Sequence, residues 1–178
     1  RVVKSGEQIL LGGNESYVAL CRRHWLRGEL APMEVRKISA GKKRYLPLLL
    51  DADPSEAMID RYLENGEMYV LVVNGQTAAV AVVLQKDGEL CELMNLATAP
   101  ELRGQGYASH LVRHLLKLYQ PRCRRMEVGT DASMVPFYER FGFRCAYARE
   151  NFFLDNYHPP IVENGVTLKD MQVLVMEM

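Results

Sequence analysis

The stretch APELRGQGYASHLVRHLLKLY, residues Ala99 to Tyr119, places a glycine-containing loop directly before an amphipathic helix. The loop is RGQG, residues 103–106, and the residues after it are apolar at helical spacing. The first turn of a helix has backbone N–H groups without partners, and the helix dipole attracts anions there. Because glycines let an anion approach the main chain closely, the stretch predicts a phosphate-binding site.

The composition limits the classes of function that the chain can have. It has 178 residues with 22 Lys plus Arg and 22 Asp plus Glu, so its formal net charge is zero. A neutral chain lacks the basic surface expected of a protein that binds nucleic acid or an anionic membrane. No apolar run is long enough to span a bilayer, and no signal-peptide pattern is present. The widely spaced cysteines favour reduced thiols, so we expect a cytoplasmic protein of one ordinary domain.

From Met33 onward the hydrophobic pattern predicts a single unit with the element order β-α-α-β-β-β-α-β-α-β-β. Asn74-Gly75 and Asp87-Gly88 mark two tight turns, so the strands before the glycine loop are expected to form an antiparallel meander. The segments 143–153 and 166–178 are expected to be the last two strands of the same sheet.

The loop differs from two well-known phosphate-binding motifs. It lacks the third glycine and the parallel βαβ setting of a dinucleotide-binding fold. No Gly-Lys-Ser or Gly-Lys-Thr follows it, which excludes a Walker A loop. What remains is the pattern Arg103-x-x-Gly106-x-Ala108 after a strand that ends in NLATAP.

This pattern resembles the pyrophosphate loop of the GNAT superfamily of acyltransferases, whose motif is Arg or Gln, two residues, Gly, one residue, then Gly or Ala. The resemblance extends from about residue 33 to residue 178 and includes VPFYERFGF, residues 135–143, which is similar to a second family signature. It implies an α/β (α+β) fold with a mixed, mostly antiparallel central sheet and helices on both faces. It also implies a splay between two central parallel strands, here residues 89–98 and 124–130.

The family resemblance implies coenzyme A as the source of the phosphate and an acetyl-CoA-dependent N-acetyltransferase as the activity. Backbone groups in the splay would bond the pantetheine arm, and the loop N–H groups would hold the pyrophosphate. A plain helix cap with a tolerated glycine pair is the alternative explanation of the loop. Asp131 departs from the asparagine that the family often has at its position. The candidate cofactor-binding residues are Leu96, Ala97, Thr98, Arg103, Gly104, Gln105, Gly106, Tyr107, Ala108, Asp131 and Phe137.

Two residues are candidates for the proton transfers of acetyl transfer to an amine. Tyr138 matches the tyrosine that the family often uses as general acid, although a core aromatic is the alternative. Glu92 is the candidate general base, directly or through water, and a solvent-facing strand glutamate is the alternative. Alternation along the strand is expected to place Glu92, Met94 and Leu96 on one face, where apolar neighbours would raise the pKa of the carboxyl.

The acceptor pocket is expected from residues 43–66 and from the late segment 150–165. Acidic side chains there would favour a cationic amine, although solvated surface acids are the alternative for most of them: Asp51, Asp53, Asp155 and Glu163. The resemblance predicts direct attack of a primary amine, on a small molecule or a peptide, in a ternary complex. A non-catalytic module that binds coenzyme A is a second hypothesis, and a homodimer is compatible with both.

Residues 1–32 do not fit this plan and are expected to be a separate tail or linker, with residues 33–178 as the acetyltransferase domain. The stretch GEQILLGGNESYVALCRRHW, residues 6–25, resembles the C-terminal tail of type II thymidine kinases. In that resemblance Tyr17 and Val18 match the loop over the thymine base, and Cys21 and His24 match half of a zinc site. Two ligands do not make a stable tetrahedral zinc site. The resemblance gives a third hypothesis, that this segment is a remnant of a fused kinase. An incidental linker is the alternative.

Overall fold

The computed structural model describes residues 32–178, which form a mixed sheet with helices on both faces. The helices are α1 (Leu46–Ala52), α2 (Glu56–Asp60), α3 (Tyr107–Tyr119), α4 (Val135–Glu139) and α5 (Phe152–Asn156), and short 3-10 turns span Lys42–Tyr45, Pro100–Leu102 and Ala132–Met134. The strands are β1 (Met33–Ile38), β2 (Glu67–Val73), β3 (Gln76–Gln85), β4 (Leu90–Thr98), β5 (Arg125–Thr130), β6 (Arg144–Arg149), β7 (Val162–Glu163), β8 (Val166–Thr167) and β9 (Met171–Glu177).

Seven strands form one sheet in the order β1-β2-β3-β4-β5-β9-β6, and β7 pairs with β8 in a separate hairpin. Every neighbouring pair in the large sheet is antiparallel except β4 with β5. Asn74 and Gly75 have φ values of 52° and 77°, as the predicted tight turn between β2 and β3 requires. The mostly antiparallel sheet with one parallel pair, predicted from the sequence, is confirmed.

The parallel pair separates after four residues. β4 pairs with β5 from Leu90 opposite Arg125 to Leu93 opposite Val128, and no further pairing follows although β4 continues to Thr98. The C-terminal half of β4 therefore has one edge without a strand partner. This is the predicted splay, and it lies directly before the glycine loop.

A bulge in β4 changes which side chains share a face. Val82 pairs with Asn95 and Val83 pairs with Leu93, so Met94 is an extra residue in β4. Leu93 and Leu96 consequently pack into the core under α3, whereas Asn95 contacts α1 on the opposite face. The predicted grouping of Glu92, Met94 and Leu96 on one face is wrong because strict alternation does not survive a bulge.

The core has two parts, one on each face of the sheet. One part packs α3 and α4 against the sheet and includes Leu111, Leu115 and Phe143. The other packs α1 and α2 against the opposite face and includes Leu49 and Ile59. Helices on both faces were predicted, and this arrangement is confirmed.

The C-terminal third departs from the predicted strand assignments. The predicted strand 143–153 ends at Arg149, because Asn151 adopts a left-handed φ of 56° and α5 follows. Within the predicted strand 166–178, only Met171–Glu177 joins the large sheet, while Val166–Thr167 belongs to the β7–β8 hairpin. In both places a short local element replaces the predicted strand, and the apolar side chain of Val166 in the β7–β8 hairpin is exposed. Between residues 32 and 178, no helix is long and apolar enough to cross a membrane.

Candidate active site

The glycine loop lines a cavity of about 320 Å³ at the N-terminus of α3. Gly104 and Gly106 have φ values of 72° and 86°, a left-handed region that side-chain-bearing residues rarely adopt. Gly106 is the N-cap of α3, and no side chain caps the helix, so the first-turn N–H groups are left for a ligand. The cavity is lined by Thr98, Arg103, Gly104, Gln105, Gly106, Tyr107, Ala108, Ser109, Phe137 and Arg140.

Most of the predicted cofactor-binding residues therefore lie together in one cavity. Leu96, Ala97 and Asp131 are not part of its lining. Asp131 instead caps the 3-10 turn that follows β5, because its Oδ1 accepts the Ser133 N–H at 2.7 Å. Ser109 and Arg140 line the cavity but were missed from the sequence. The position of Arg140, three residues after Phe137, was the available signal, since its guanidinium lies over that ring at 5.0 Å.

Two arginines provide positive charge at the cavity. Arg140 lines it from the end of α4, and Arg103 lines it from the loop. Arg103 is exposed and forms an ion pair with Asp51 of α1. The loop and the first helix of the predicted acceptor region are thus in direct contact.

The splayed half of β4 approaches the cavity from the sheet. Leu96, Ala97 and Thr98 pair with β3 on one edge, opposite Ala81, Val80 and Ala79 respectively. Their other edge faces the gap left by β5, and Thr98 reaches the cavity lining. An extended amide-bearing ligand can add to such an edge as a strand would.

Tyr138 is buried in α4 as part of the core under α3, and it is not part of the cavity lining. Its ring packs edge-on against Phe137 and Phe143, with centroid distances of 5.0 and 5.9 Å. Burial raises the pKa of the Tyr138 phenol, and the charge of Asp131 adds to this effect. The hydroxyl is therefore protonated at neutral pH, as a proton donor must be.

Glu92 is buried, but its surroundings are charged. Its Oε2 forms an ion pair with Lys86 Nζ at 2.8 Å, and its Oε1 lies 3.9 Å from Arg149 Nη2. The predicted apolar setting is therefore wrong. Lys86 follows β3 and Arg149 ends β6, so both cations reach Glu92 from other strands, and the bulge separately moves Leu96 to the opposite face of the sheet.

A second group of buried polar side chains lies on the face covered by α1 and α2. Tyr62 donates to Asp53 Oδ2 at 3.2 Å, and Tyr157 donates to Asp53 Oδ1 at 3.0 Å. Asn95 Nδ2 donates to the Tyr62 hydroxyl at 3.0 Å. We call Asp53, Tyr62, Asn95 and Tyr157 the Asp53 cluster. The alternative that Asp53 is a solvated surface acid is wrong, because its exposure is only 9%.

Between residues 32 and 178, no group of three or more His, Cys, Asp or Glu side chains is arranged to hold a metal ion. The predicted half zinc site of Cys21 and His24, together with Tyr17 and Val18, lies outside the described residues.

Comparison with known proteins identifies the class to which this fold and loop belong. The Acetyltransferase (GNAT) family matches residues 37–143, which is more than half of the chain. The chain belongs to this family, and it is therefore an acyltransferase.

Individual relatives agree along most of the chain. It is 33% identical over 135 residues to the uncharacterized N-acetyltransferase YvbK of Bacillus subtilis (strain 168), covering 74% of this chain and 87% of that protein. A GNAT family acetyltransferase from Elizabethkingia anophelis, crystallised with acetyl-CoA bound, superimposes with a TM-score of 0.78 at 33% identity, over 82% of this chain and 98% of that one. A Bacillus subtilis acetyltransferase crystallised in complex with CoA gives a TM-score of 0.75 at 30% identity, over 83% and 99% of the two chains.

The N-terminal segment has a different relative. Over 29 residues, 16% of this chain, it is 66% identical to the thymidine kinase of Legionella pneumophila (strain Lens). Those residues are 14% of the kinase, so the match covers a small part of that enzyme. The predicted resemblance of this segment to a thymidine kinase is confirmed at the level of sequence.

Proposed function

We propose that the protein is an acetyl-CoA-dependent N-acetyltransferase that moves an acetyl group to a primary amine by direct attack in a ternary complex. The observation that carries this proposal is the cavity at the N-terminus of α3, which adjoins the splayed edge of β4. A phosphate site and a free strand edge are the two features that a pyrophosphate with an amide-bearing arm requires.

In this proposal the loop holds the pyrophosphate of the cofactor. First-turn N–H groups of α3 donate to it, and Arg103 and Arg140 supply charge at the rim. The free edge of residues Leu96–Thr98 would bond the pantetheine arm. Acetyl-CoA supplies the activated acetyl group as a thioester.

The chain's own groups then assist the transfer. The attacking nitrogen must be neutral, whereas a free alkylamine has a pKa of about 10.4. A backbone N–H of the splayed strand donates to the carbonyl oxygen, and Tyr138 gives its proton to the departing sulfur. Glu92 receives the proton of the amine through water, and its carboxylate forms an ion pair with Lys86 at 2.8 Å.

The loop assignment is tested with Gly106→Val. A side chain at this N-cap stands where the pyrophosphate must lie, so we expect acetyl-CoA affinity, measured by titration calorimetry, to fall at least about 100-fold. Gly75→Val is the matched control, because Gly75 has a similar φ of 77° in a hairpin where a Cβ would meet nothing within 4 Å. Equal affinity of the two variants for acetyl-CoA would remove the assignment.

The acid is tested with Tyr138→Phe in an acceptor-panel assay that follows thiol release. We expect kcat to fall about 10- to 100-fold with little change in acetyl-CoA affinity, because only a proton transfer is lost. Tyr147→Phe, on the exposed strand β6, is the control. An unchanged kcat in Tyr138→Phe would assign the tyrosine to packing. A wild-type protein that binds acetyl-CoA but acetylates no amine would favour the binding-module hypothesis.

We place the protein in the cytoplasm. Cys91, Cys123 and Cys145 are free thiols, and the first two are buried in the core where they act as small apolar side chains. The separate status of residues 1–32, a fused kinase domain and a homodimer stay predictions from the sequence.

A further inference from the structure

We propose that the Asp53 cluster binds the ammonium group of the acceptor, beside the splayed half of β4, so that the substrates are aliphatic primary amines. The inference rests on the proposed function, because it names the substrate class of the same site. Four observations support it. They are the unpartnered amide oxygen of Asn95, the Asp53 carboxylate without a cationic partner, the position of Asn95 in β4, and the chain segments from which the cluster's side chains come.

The first observation is the amide of Asn95. Its nitrogen donates to the carbonyl oxygen of Leu49 at 3.0 Å, and a carbonyl can only accept, so the orientation of the amide is fixed. The same nitrogen donates to the Tyr62 hydroxyl. The amide oxygen is buried and has no hydrogen-bond partner. A buried acceptor without a donor is unfavourable, so this oxygen calls for an N–H or O–H group from a ligand.

The second observation is the charge of Asp53. Its two oxygens accept hydrogen bonds only from the neutral hydroxyls of Tyr62 and Tyr157 among the side chains. Within residues 32–178, no Lys or Arg forms an ion pair with it, whereas Glu67 and Glu92 each have such a partner. A buried carboxylate without a cation is costly, and a cationic ligand would compensate it. Together the two observations specify a ligand that is both an N–H donor and positively charged.

The third observation is location. Asn95 lies in the half of β4 that has separated from β5, two residues after the last paired residue, Leu93. Its side chain is on the face covered by α1, opposite to the face on which α3 packs. A nitrogen held there approaches a cofactor on the free edge from the side opposite the glycine loop. The ammonium then loses its proton to the base of the proposed mechanism before attack.

The fourth observation is the origin of the side chains. Asp53 and Tyr62 come from the first predicted acceptor segment, residues 43–66, and Tyr157 comes from the second, residues 150–165. Their hydrogen bonds join the two segments at the splayed strand. A purely structural tie between these segments would need the hydroxyls and the shape of the carboxyl group but not its charge. The charge is therefore what an experiment must remove.

The experiment measures binding of primary alkylamines, from ethylamine to hexylamine, to the CoA-saturated full-length protein by calorimetry. The corresponding alcohols serve as uncharged probes of the same shape. We expect the wild type to bind at least one amine at least tenfold more tightly than its alcohol, and Asp53→Asn to weaken that amine at least tenfold. Asp60→Asn is the matched control, since Asp60 lies on the neighbouring α2 but is exposed and paired with Lys43. It should bind the amine as the wild type does.

Three results would overturn the inference: amine and alcohol bind equally, no amine binds, or Asp53→Asn binds amines like the wild type. Tyr157→Phe provides a second variant that keeps the charge and removes one hydroxyl. Its amine affinity should stay within about threefold of the wild type, and a loss as large as that of Asp53→Asn would also refute a charge-based site.

Acetyl-CoA affinity is measured on the same samples. Failure of the wild type to bind acetyl-CoA would refute the proposed function, whereas normal acetyl-CoA binding with unselective amine binding refutes only this inference.

Discussion

Two clusters in this fold share one arrangement, a carboxylate that accepts hydrogen bonds from two tyrosines. They differ in whether cationic side chains neutralise that carboxylate. In the first, Glu67 Oε2 accepts from Tyr69 at 2.8 Å and from Tyr119 at 2.5 Å. In the second, Asp53 accepts from Tyr62 and Tyr157. We call Glu67, Tyr69, Tyr119 and their cationic partners Arg122 and Lys37 the Glu67 cluster.

The two clusters differ in their cations. Arg122 and Lys37 contact Glu67 at 2.7 and 2.6 Å, and the Arg122 guanidinium also lies over the Tyr119 ring at 4.5 Å. The Arg122 guanidinium, with smaller contributions from Lys37 and the hydroxyls, holds the pKa of Glu67 far below its usual range. Burial raises the pKa of Asp53 instead, against the opposing effect of the two tyrosine hydroxyls.

The difference separates an arrangement that stabilises the fold from one that is suited to a ligand. The Glu67 cluster is complete without a ligand, because every oxygen contact and the charge are satisfied within the chain. The Asp53 cluster has a charge without a cation and, at Asn95, an acceptor without a donor. Such unfavourable polar groups are typical of functional sites, where stability is lower than the same fold could have.

The largest effect on stability is expected in the Glu67 cluster. Glu67→Ala removes the acceptor of four donors and leaves the buried Tyr119 hydroxyl with Tyr69 as its remaining partner, at 3.3 Å. We expect the free energy of unfolding, measured in urea, to fall by about 2 kcal/mol. Acetyl-CoA binding by the folded protein should be unchanged.

Glu64→Ala is the control for this variant, because Glu64 is exposed and precedes the same strand. Its effect should stay within about 0.5 kcal/mol. A similarly small loss for Glu67→Ala would show that the Glu67 cluster does not stabilise the fold. That result would contradict the contrast between the two clusters.

Local signals in the sequence were sufficient for the frame of the fold and for the glycine loop. Asn74-Gly75 predicted its turn because the backbone there needs positive φ, and the loop predicted its cavity because Gly104 and Gly106 precede a helix. These features depend on neighbours within a few residues. The order of the strands and the splay followed from the family resemblance.

The polar clusters could not be predicted in this way. Tyr157 bonds Asp53 across 104 positions, and Arg122 bonds Glu67 across 55, so no periodic pattern connects them. The bulge at Met94 likewise has no mark in the sequence, although it decides that Asn95 faces α1. The sequence predicted two segments for the acceptor pocket, residues 43–66 and 150–165, but long-range contacts determine which of their side chains meet.

An intermediate effect is expected from pH. Because the folded-state pKa of Glu67 is lowered, its ionised form stabilises the fold above the unfolded-state pKa of about 4.3, and that stability is lost as the pH falls further. Glu67→Gln should therefore cost about 1 kcal/mol at pH 7, and its difference from the wild type should shrink toward pH 3. Urea unfolding at a series of pH values measures this. A difference that is constant with pH would mean that the charge of Glu67 is not what stabilises its cluster.

The smallest effect, with the opposite sign, is expected for Asp53→Asn. The folded-state pKa of Asp53 is raised, so between the unfolded-state pKa of about 3.9 and the folded-state pKa the native protein binds more protons than the unfolded chain. Stability then decreases as the pH rises through this window, and at pH 7 the ionised carboxylate carries the full cost of its burial. The amide keeps the shape without the charge: its oxygen accepts from one tyrosine hydroxyl and its nitrogen donates to the other, whose hydroxyl turns to accept. The free energy of unfolding should therefore rise by up to about 1 kcal/mol at pH 7. The gain should disappear near pH 3, where the carboxyl is protonated in both states.

A loss of stability at pH 7 would place Asp53 in the same class as Glu67. A gain, combined with the weaker amine binding expected of this variant, would show that the chain retains an unfavourable charge because the acceptor needs it.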